Sequence, residues 1–458
     1  MNKFIKTSAL VLTVILLVQF IPFNFKVDAV TTDNGLEYSI TNKKVTITKC
    51  PEGYEGALTI PSKINGYSVT AIADYAFANC YALTSVVIPD TVKTLGEYVF
   101  NGCQALKKVS LSKNIKAISN GAFSQCPVLS TVTIPEGVTT ISDGAFEDCS
   151  ALKTITLPFS LTKIGSYAFY ECDALTSISV PQDVKTVEEY AFANCDNLKK
   201  VYLGFGVKRI DFAAFRNCKN LANIYMYHTI LEIYDCAFSG CKKLANVWFA
   251  GDKLDKNIID IRDDNSYLDN AKWNLERDFV EIDKQPAIGV NLSGKTAKVS
   301  VTARGKDKKY KWYYKDKNAS DFSYTSSFTG SSYSVKMNST RDKRQVYCII
   351  TDSYGNTIKS DTGILYMGTP LKITTQPKSV TIAKNKSAKV TVKANGDGLK
   401  YTWYYKNTGS KSFSKSSVTS STYSTKMTSK SKGRQVYCVI KDKYGCKAKS
   451  NTVTLKMK

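Results

Sequence analysis

Phenylalanine returns every 23 residues through the middle of this chain, at Phe77, Phe100, Phe123, Phe146, Phe169, Phe192, Phe215 and Phe238. A cysteine follows three positions later in every copy, from Cys80 to Cys241. Between them runs an apolar series, in the first copy Leu83, Val86, Ile88, Val92 and Leu95. Roughly seven apolar side chains per copy, at about 1.5–3 kcal/mol each, approximately offset the ordering entropy of so short a segment. They do so only when a neighbour covers each side, so one copy does not fold alone. A fixed period of about 20–50 residues therefore means a stack of equivalent coils.

Within a copy, Leu-x-x-Val-x-Ile (Leu83 to Ile88) alternates like a short strand with Val86 and Ile88 pointing inward. Pro89, Pro135, Pro158 and Pro181 end that strand in their copies. The spacing predicts one parallel strand per coil and a long sheet along one side. Equivalent residues of stacked coils lie about 4.8 Å apart, too far for the Cβ separation of about 3.8 Å that a disulfide prefers. The cysteine ladder is expected to be buried and free, behaving as small apolar side chains. Cys50, Cys236, Cys348, Cys438 and Cys446 show no obvious pairing, and no CxxC pair supports a zinc site.

The pattern Ala-Phe-x-x-Cys-x-x-Leu-x-x-Val-x-Ile-Pro resembles the BspA-like leucine-rich repeats of bacterial surface proteins. That resemblance implies a surface protein that binds host or neighbouring-cell ligands. The expected fold is mainly β, a parallel leucine-rich-repeat solenoid followed by two tandem β-sandwich, immunoglobulin-like domains. Residues 73–250 form the repeats, 30–72 an N-terminal cap and 251–284 a C-terminal cap built around Ala271, Trp273 and Leu275.

From Gln285 a second duplication begins. Trp312-Tyr313-Tyr314 answers Trp403-Tyr404-Tyr405, Arg344 to Cys348 answers Arg434 to Cys438, and Tyr354-Gly355 answers Tyr444-Gly445. Two sandwiches are expected, 285–370 and 371–458, with Trp312 and Trp403 buried. Val301 and Val392 stand where such domains carry their first cysteine, so Cys348 and Cys438 should be unpaired.

Charge separates the two halves. Residues 285–458 carry 34 Lys/Arg and 8 Asp/Glu, whereas the rest of the chain sums to −2. Such an excess exceeds what keeps a protein in solution and points to an anionic polymer, in an exported protein the cell wall with its teichoic acids. Export is expected because Lys3 and Lys6 precede an apolar run from Ala9 to Phe23, with a cut after Ala29. No membrane span is expected in the mature chain, and nucleic acid does not suit that compartment. No sorting motif closes the chain at Lys458, so surface retention is expected to be non-covalent.

Catalysis finds no support. The single histidine, His228, reads as a solvated turn residue, and nothing places two acids on the strand face. No cofactor or metal is expected. The outward strand positions are Val87, Ser110, Thr133, Thr156, Ser179, Tyr202, Tyr225 and Trp248, with Tyr227 further along. Tyr202, Tyr225, Tyr227 and Trp248 are the candidate ligand-binding residues, an aromatic platform suited to a protein loop or a glycan. The competing expectation is that the cap around Trp273 covers them.

Overall fold

The computed structural model describes residues 30–32, 35–276, 278–325 and 327–458. The expected signal segment, 1–29, lies outside the described residues. Among those residues no helix is long and apolar enough to cross a membrane.

The chain is built almost wholly of strands, a parallel solenoid followed by two β-sandwiches. The expected strand side runs from Gly56–Thr59 through Leu83–Val87, Lys108–Ser110, Ser177–Val180, Lys200–Leu203 and Asn223–Tyr227 to Asn246–Ala250. Neighbours pair in parallel with the register the period demands: Val86 opposite Val109, Ile178 opposite Val201, Ile224 opposite Val247. Where Thr131–Val132 meets the next coil the ladder narrows to a bridge between Thr133 and Thr156.

Each coil also has a second strand that the alternation did not reveal, because it is only two residues long. Thr94–Leu95, Ala117–Ile118, Thr140–Ile141, Lys163–Ile164, Thr186–Val187, Arg209–Ile210 and Glu232–Ile233 stack along another side. Parallel pairs such as Ile118 with Ile141 and Ile210 with Ile233 bury one apolar residue per coil there.

The third side is the phenylalanine turn. From Phe77 to Phe215 each phenylalanine amide donates to a carbonyl of the coil ahead, as Phe100 does to Ala122 at 2.9 Å, and the Phe238 amide donates to the Asn265 Oδ1 beyond the last coil. The turn needs left-handed backbone on both sides of the phenylalanine. Tyr75, Tyr98, Tyr167, Tyr190 and Ala213 hold it two residues before, and Asn79, Gly102, Asn194, Asn217 and Gly240 two residues after. Asparagine and glycine are the residues that tolerate it best. The rings stack along the axis at 5.1–5.4 Å between centroids, from Phe77–Phe100 to Phe215–Phe238.

All thirteen cysteines are free. Their role differs from that of plain apolar filler: from Cys103 onward each ladder thiol donates to the phenylalanine carbonyl of the preceding coil. Cys103 reaches Phe77, Cys149 reaches Phe123 and Cys241 reaches Phe215, all at 3.1 Å. Most of these carbonyls also accept the amide of the cysteine three residues on, as Phe77 does from Cys80 at 3.2 Å, so the thiol serves the carbonyl's second lone pair without a bulkier polar group.

One apolar core runs from Leu36 to Ala271 and takes in both caps. At the N-terminal end the hairpin Glu37–Thr41 and Lys44–Lys49 feeds through Tyr67–Ile72 into the two-residue ladder. At the far end Lys272–Leu275 adds a last parallel strand, and Trp273 packs edge-on against Phe249 at 5.7 Å.

In each sandwich a main sheet carries the buried tryptophan on one face. The first contains Lys309–Lys315 between Arg344–Thr351 and Ser323–Thr325; the second has Lys400–Lys406 between Arg434–Lys441 and Ser414–Lys415. Trp312 and Trp403 are fully buried. Burial pushes the free thiols of Cys348 and Cys438 up to about 12 and about 11. The strand Glu281–Lys284 pairs with Thr302–Arg304, so the first sandwich begins inside the stretch read from sequence as cap.

Candidate binding face and its cleft

The outward strand positions form one row along the solenoid. Val87 stands opposite Ser110, Ser179 opposite Tyr202, Tyr202 opposite Tyr225, and Tyr225 opposite Trp248. The row divides into two parts. Val87, Ser110, Thr133, Thr156 and Ser179 are exposed, a strip of small hydroxyls beyond one valine.

The aromatic end is assembled as expected. Tyr202 stacks on Tyr225 at 4.6 Å and Tyr225 on Trp248 at 6.1 Å. Its surface is nevertheless occupied. Phe279 sits 5.5 Å from Tyr227 and 6.2 Å from Tyr225, and Tyr354 of the first sandwich sits 5.7 Å from Trp248. Tyr225 is 8% exposed and Tyr227 2%, with the Tyr227 hydroxyl donating to the Val280 carbonyl at 3.0 Å. Burial raises the Tyr225 and Tyr227 hydroxyls and pushes Tyr202 up to about 12. The expectation of an open platform at Tyr202, Tyr225, Tyr227 and Trp248 is corrected here: these aromatics seat the first sandwich. The competing cover, the cap around Trp273, is met in part: Phe279 and Val280 fall within the stretch read as cap, 251–284, while Trp273 itself packs on Phe249.

The plug is a turn shaped by one carboxylate. Asp352 accepts from the amides of Tyr354, Gly355 and Asn356, and its other oxygen accepts from the Val280 amide. Gly355 has φ +99°, and a Cβ there would stand 3.2 Å from the Tyr202 hydroxyl, so the turn approaches the solenoid as only glycine allows. Beside it the Gln182 side chain grips the backbone of Lys359, donating to its carbonyl at 3.2 Å and accepting from its amide at 2.9 Å. The same device recurs one domain on. Asp442 shapes the turn of Tyr444, whose ring packs on Tyr366 of the first sandwich at 4.9 Å and whose hydroxyl donates to Asp397. Each sandwich thus docks through its Tyr-Gly turn onto the domain before it.

Docking creates a cleft of about 530 Å³ where the hydroxyl strip runs under the first sandwich. Thr156, Ser177, Ser179 and Phe159 form the solenoid wall; Lys309, Lys311, Tyr313, Thr351 and Thr357 form the other. Sequence reasoning missed the sandwich wall, although the alternation of Lys309 to Lys315 places Lys309, Lys311 and Tyr313 opposite the buried Trp312. The cleft offers ammonium groups, hydroxyls and aromatic edges together, which suits a polar, extended ligand.

His228 is not simply solvated. Its Nδ1 lies 3.0 Å from the Ala250 carbonyl, which makes it the protonated nitrogen, and 3.8 Å from Glu281. Glu281 also pairs with Arg304 inside the first sandwich, so it is the His228–Glu281 contact that reaches from the solenoid to that sandwich.

Residues 70–199 and 162–261 match the BspA type leucine rich repeat region, in six copies. None of the curated proteins matches the chain. A leucine rich repeat protein of T. pallidum is 25% identical over 53% of this chain and 97% of its own, with a TM-score of 0.36. One from Bacteroides ovatus is 24% identical over 56% and 80%, with a TM-score of 0.35. The paired immunoglobulin domains of DIP-gamma are 14% identical over 39% and 97%, with a TM-score of 0.18. From Thr70 to Ile261, then, this chain is similar to BspA type leucine-rich repeats.

Proposed function

We propose that this chain is a non-enzymatic, adhesin-like protein of the cell surface. Its repeat face takes a protein ligand from a host or neighbouring cell, and its basic sandwiches act as spacer and tether to an anionic wall polymer. The observation that carries the reading is the exposed hydroxyl strip from Ser110 to Ser179 leading into the lysine-walled cleft. Match of the repeats to the BspA type region supports a surface binding role, and the charge of residues 285–458 supports the tether. The alternative, a polysaccharide held on Tyr202, Tyr225, Tyr227 and Trp248, has less support because Phe279 and Tyr354 already lie there.

The test is to place arginine at Thr156 and Ser179, exposed outward positions on the solenoid wall of the cleft. The wild-type chain should bind at least one protein on an array of extracellular-matrix proteins. The Thr156→Arg/Ser179→Arg variant, with an unchanged melting curve, should lose that binding by about tenfold or more. Equal binding by both proteins removes the strip and cleft as the site.

A further inference from the structure

The main sheet of the second sandwich turns an outer face to solvent that its twin in the first sandwich partly uses for docking. Alternation places Tyr404 and Tyr437 outward as a cross-strand pair, with Lys400 opposite Lys441 at the end of the same two strands. The rings of Tyr404 and Tyr437 stack at 5.1 Å, and Phe413 closes on Tyr437 at 4.9 Å. Lys449 lies over Tyr437 at 4.2 Å and Lys406 over Phe413 at 5.2 Å. Lys400, Lys441, Lys447 and Lys449 are exposed around this trio.

The first sandwich has the same motif: Tyr313 on Tyr347 at 5.0 Å, Phe322 at 4.8 Å and Lys359 over Tyr347 at 4.3 Å. There it faces the solenoid. Tyr347 is 5% exposed, and Gln182 holds the backbone of Lys359. Two outward positions differ in a telling way. Thr351 and Thr357, which line the cleft, are answered by Lys441 and Lys447 in the second sandwich. The copy that meets the solenoid carries hydroxyls; the copy that meets solvent keeps the aromatics and adds ammonium groups.

We propose that this outer face of the second sandwich is a binding site for an anionic polysaccharide. Sugar rings pack their C–H surface across the outward edges of Tyr404, Tyr437 and Phe413, whose faces are turned to one another and to Lys449 and Lys406, and acid groups meet the surrounding lysines. The proposal rests on the tether reading above and gives it a place. Charge decides against a second copy's solenoid as the occupant. Residues 376–458 carry 19 basic and 2 acidic residues, whereas everything before residue 285 sums to −2 and offers little attraction.

The experiment measures binding of the full chain to polygalacturonate, to neutral dextran and to linear polyphosphate, which has charge but no rings. Two variants are compared with wild type. Tyr404→Leu/Tyr437→Leu keeps apolar bulk, and Lys441→Thr/Lys447→Thr installs what the first sandwich already carries, so both should fold. Wild type should bind polygalacturonate and leave dextran unbound. The leucine variant should weaken for polygalacturonate by about tenfold while polyphosphate binding changes less than about twofold. The threonine variant should weaken for both polyanions and show a shallower salt dependence. If the leucine variant binds polygalacturonate like wild type, the face is not the site, though a diffuse electrostatic tether survives. If wild type binds neither polyanion, site and tether both fall. Self-association in sedimentation that the leucine variant abolishes would make a second copy the occupant and overturn the polysaccharide.

Discussion

At the residue scale the cysteine ladder decides most. Its burial was legible from the period alone, since a small residue recurring in step with the apolar ladder belongs inside. Its hydrogen bond was not, because that depends on where the phenylalanine carbonyl of the previous coil points. Cys149 is the sharpest place to test it, as its thiol bonds Phe123 in the middle of the stack. Cys149→Ala should cost about 1–3 kcal/mol in denaturant unfolding, and Cys149→Ser, which keeps a donor, should recover part of that. An alanine variant at least as stable as the serine one would show the bond contributes nothing. The same thiols set a pH dependence. Burial first of all holds Cys149, Cys172, Cys195 and Cys218 above the ordinary 9.0, so they keep their protons in the fold and lose them near that value when unfolded. The unfolded state then binds fewer protons, and stability must fall as pH rises. The melting temperature should be level up to about pH 8.5 and drop steadily from about 9 to 10.5. A flat profile across that window would contradict the buried, protonated ladder.

At the scale of elements, the coil is the unit, and its register is the claim. Strand, two-residue strand and phenylalanine turn each pair with their counterparts 23 residues on, as Ser85 with Lys108 and Ala117 with Thr140. Removing residues 100–122 therefore excises one whole coil and brings Phe77 against Phe123 with every inward position preserved. Removing 100–121 leaves the junction coil one residue too long, so the strands that meet there are out of step and the inward side chains at that junction are turned outward unless a turn bulges. The whole-coil deletion should fold, with circular dichroism like wild type and a somewhat lower melting temperature. The out-of-step deletion should melt clearly below the whole-coil one. Equal behaviour of the two would mean that the coils are not in register. The sequence carried this much because a repeat fixes its own pairing. It hid the two-residue strands, where a pair such as Thr94–Leu95 is too short to show an alternation. It hid the left-handed backbone too, since tyrosine at Tyr98 and Tyr190 gives no conventional turn signal.

At the scale of the molecule, the informative failure is the aromatic platform. Tyr202, Tyr225, Tyr227 and Trp248 were legible as a cluster because register put them there, but their partner lies in another domain and follows no period. Tyr354 plugs the platform, Tyr444 plugs the first sandwich in the same manner, and the three units are joined in series. A series has a hierarchy. Tyr354→Ala removes the ring between Trp248 and Phe279 and should free both sandwiches to swing from the solenoid, whereas Tyr444→Ala should free only the second. Small-angle scattering reads the difference: maximum dimension and radius of gyration should broaden more for Tyr354→Ala than for Tyr444→Ala. Limited proteolysis should cut the first variant early near residues 276–285 and the second near 368–372. The core of each sandwich rests on its own tryptophan, so neither variant should lose its β-sheet circular dichroism. If both variants scatter like wild type, the Tyr-Gly turns are bystanders, and contacts such as those of Gln182 with Lys359, His228 with Glu281 and Tyr227 with Val280 hold the first sandwich over the binding strip.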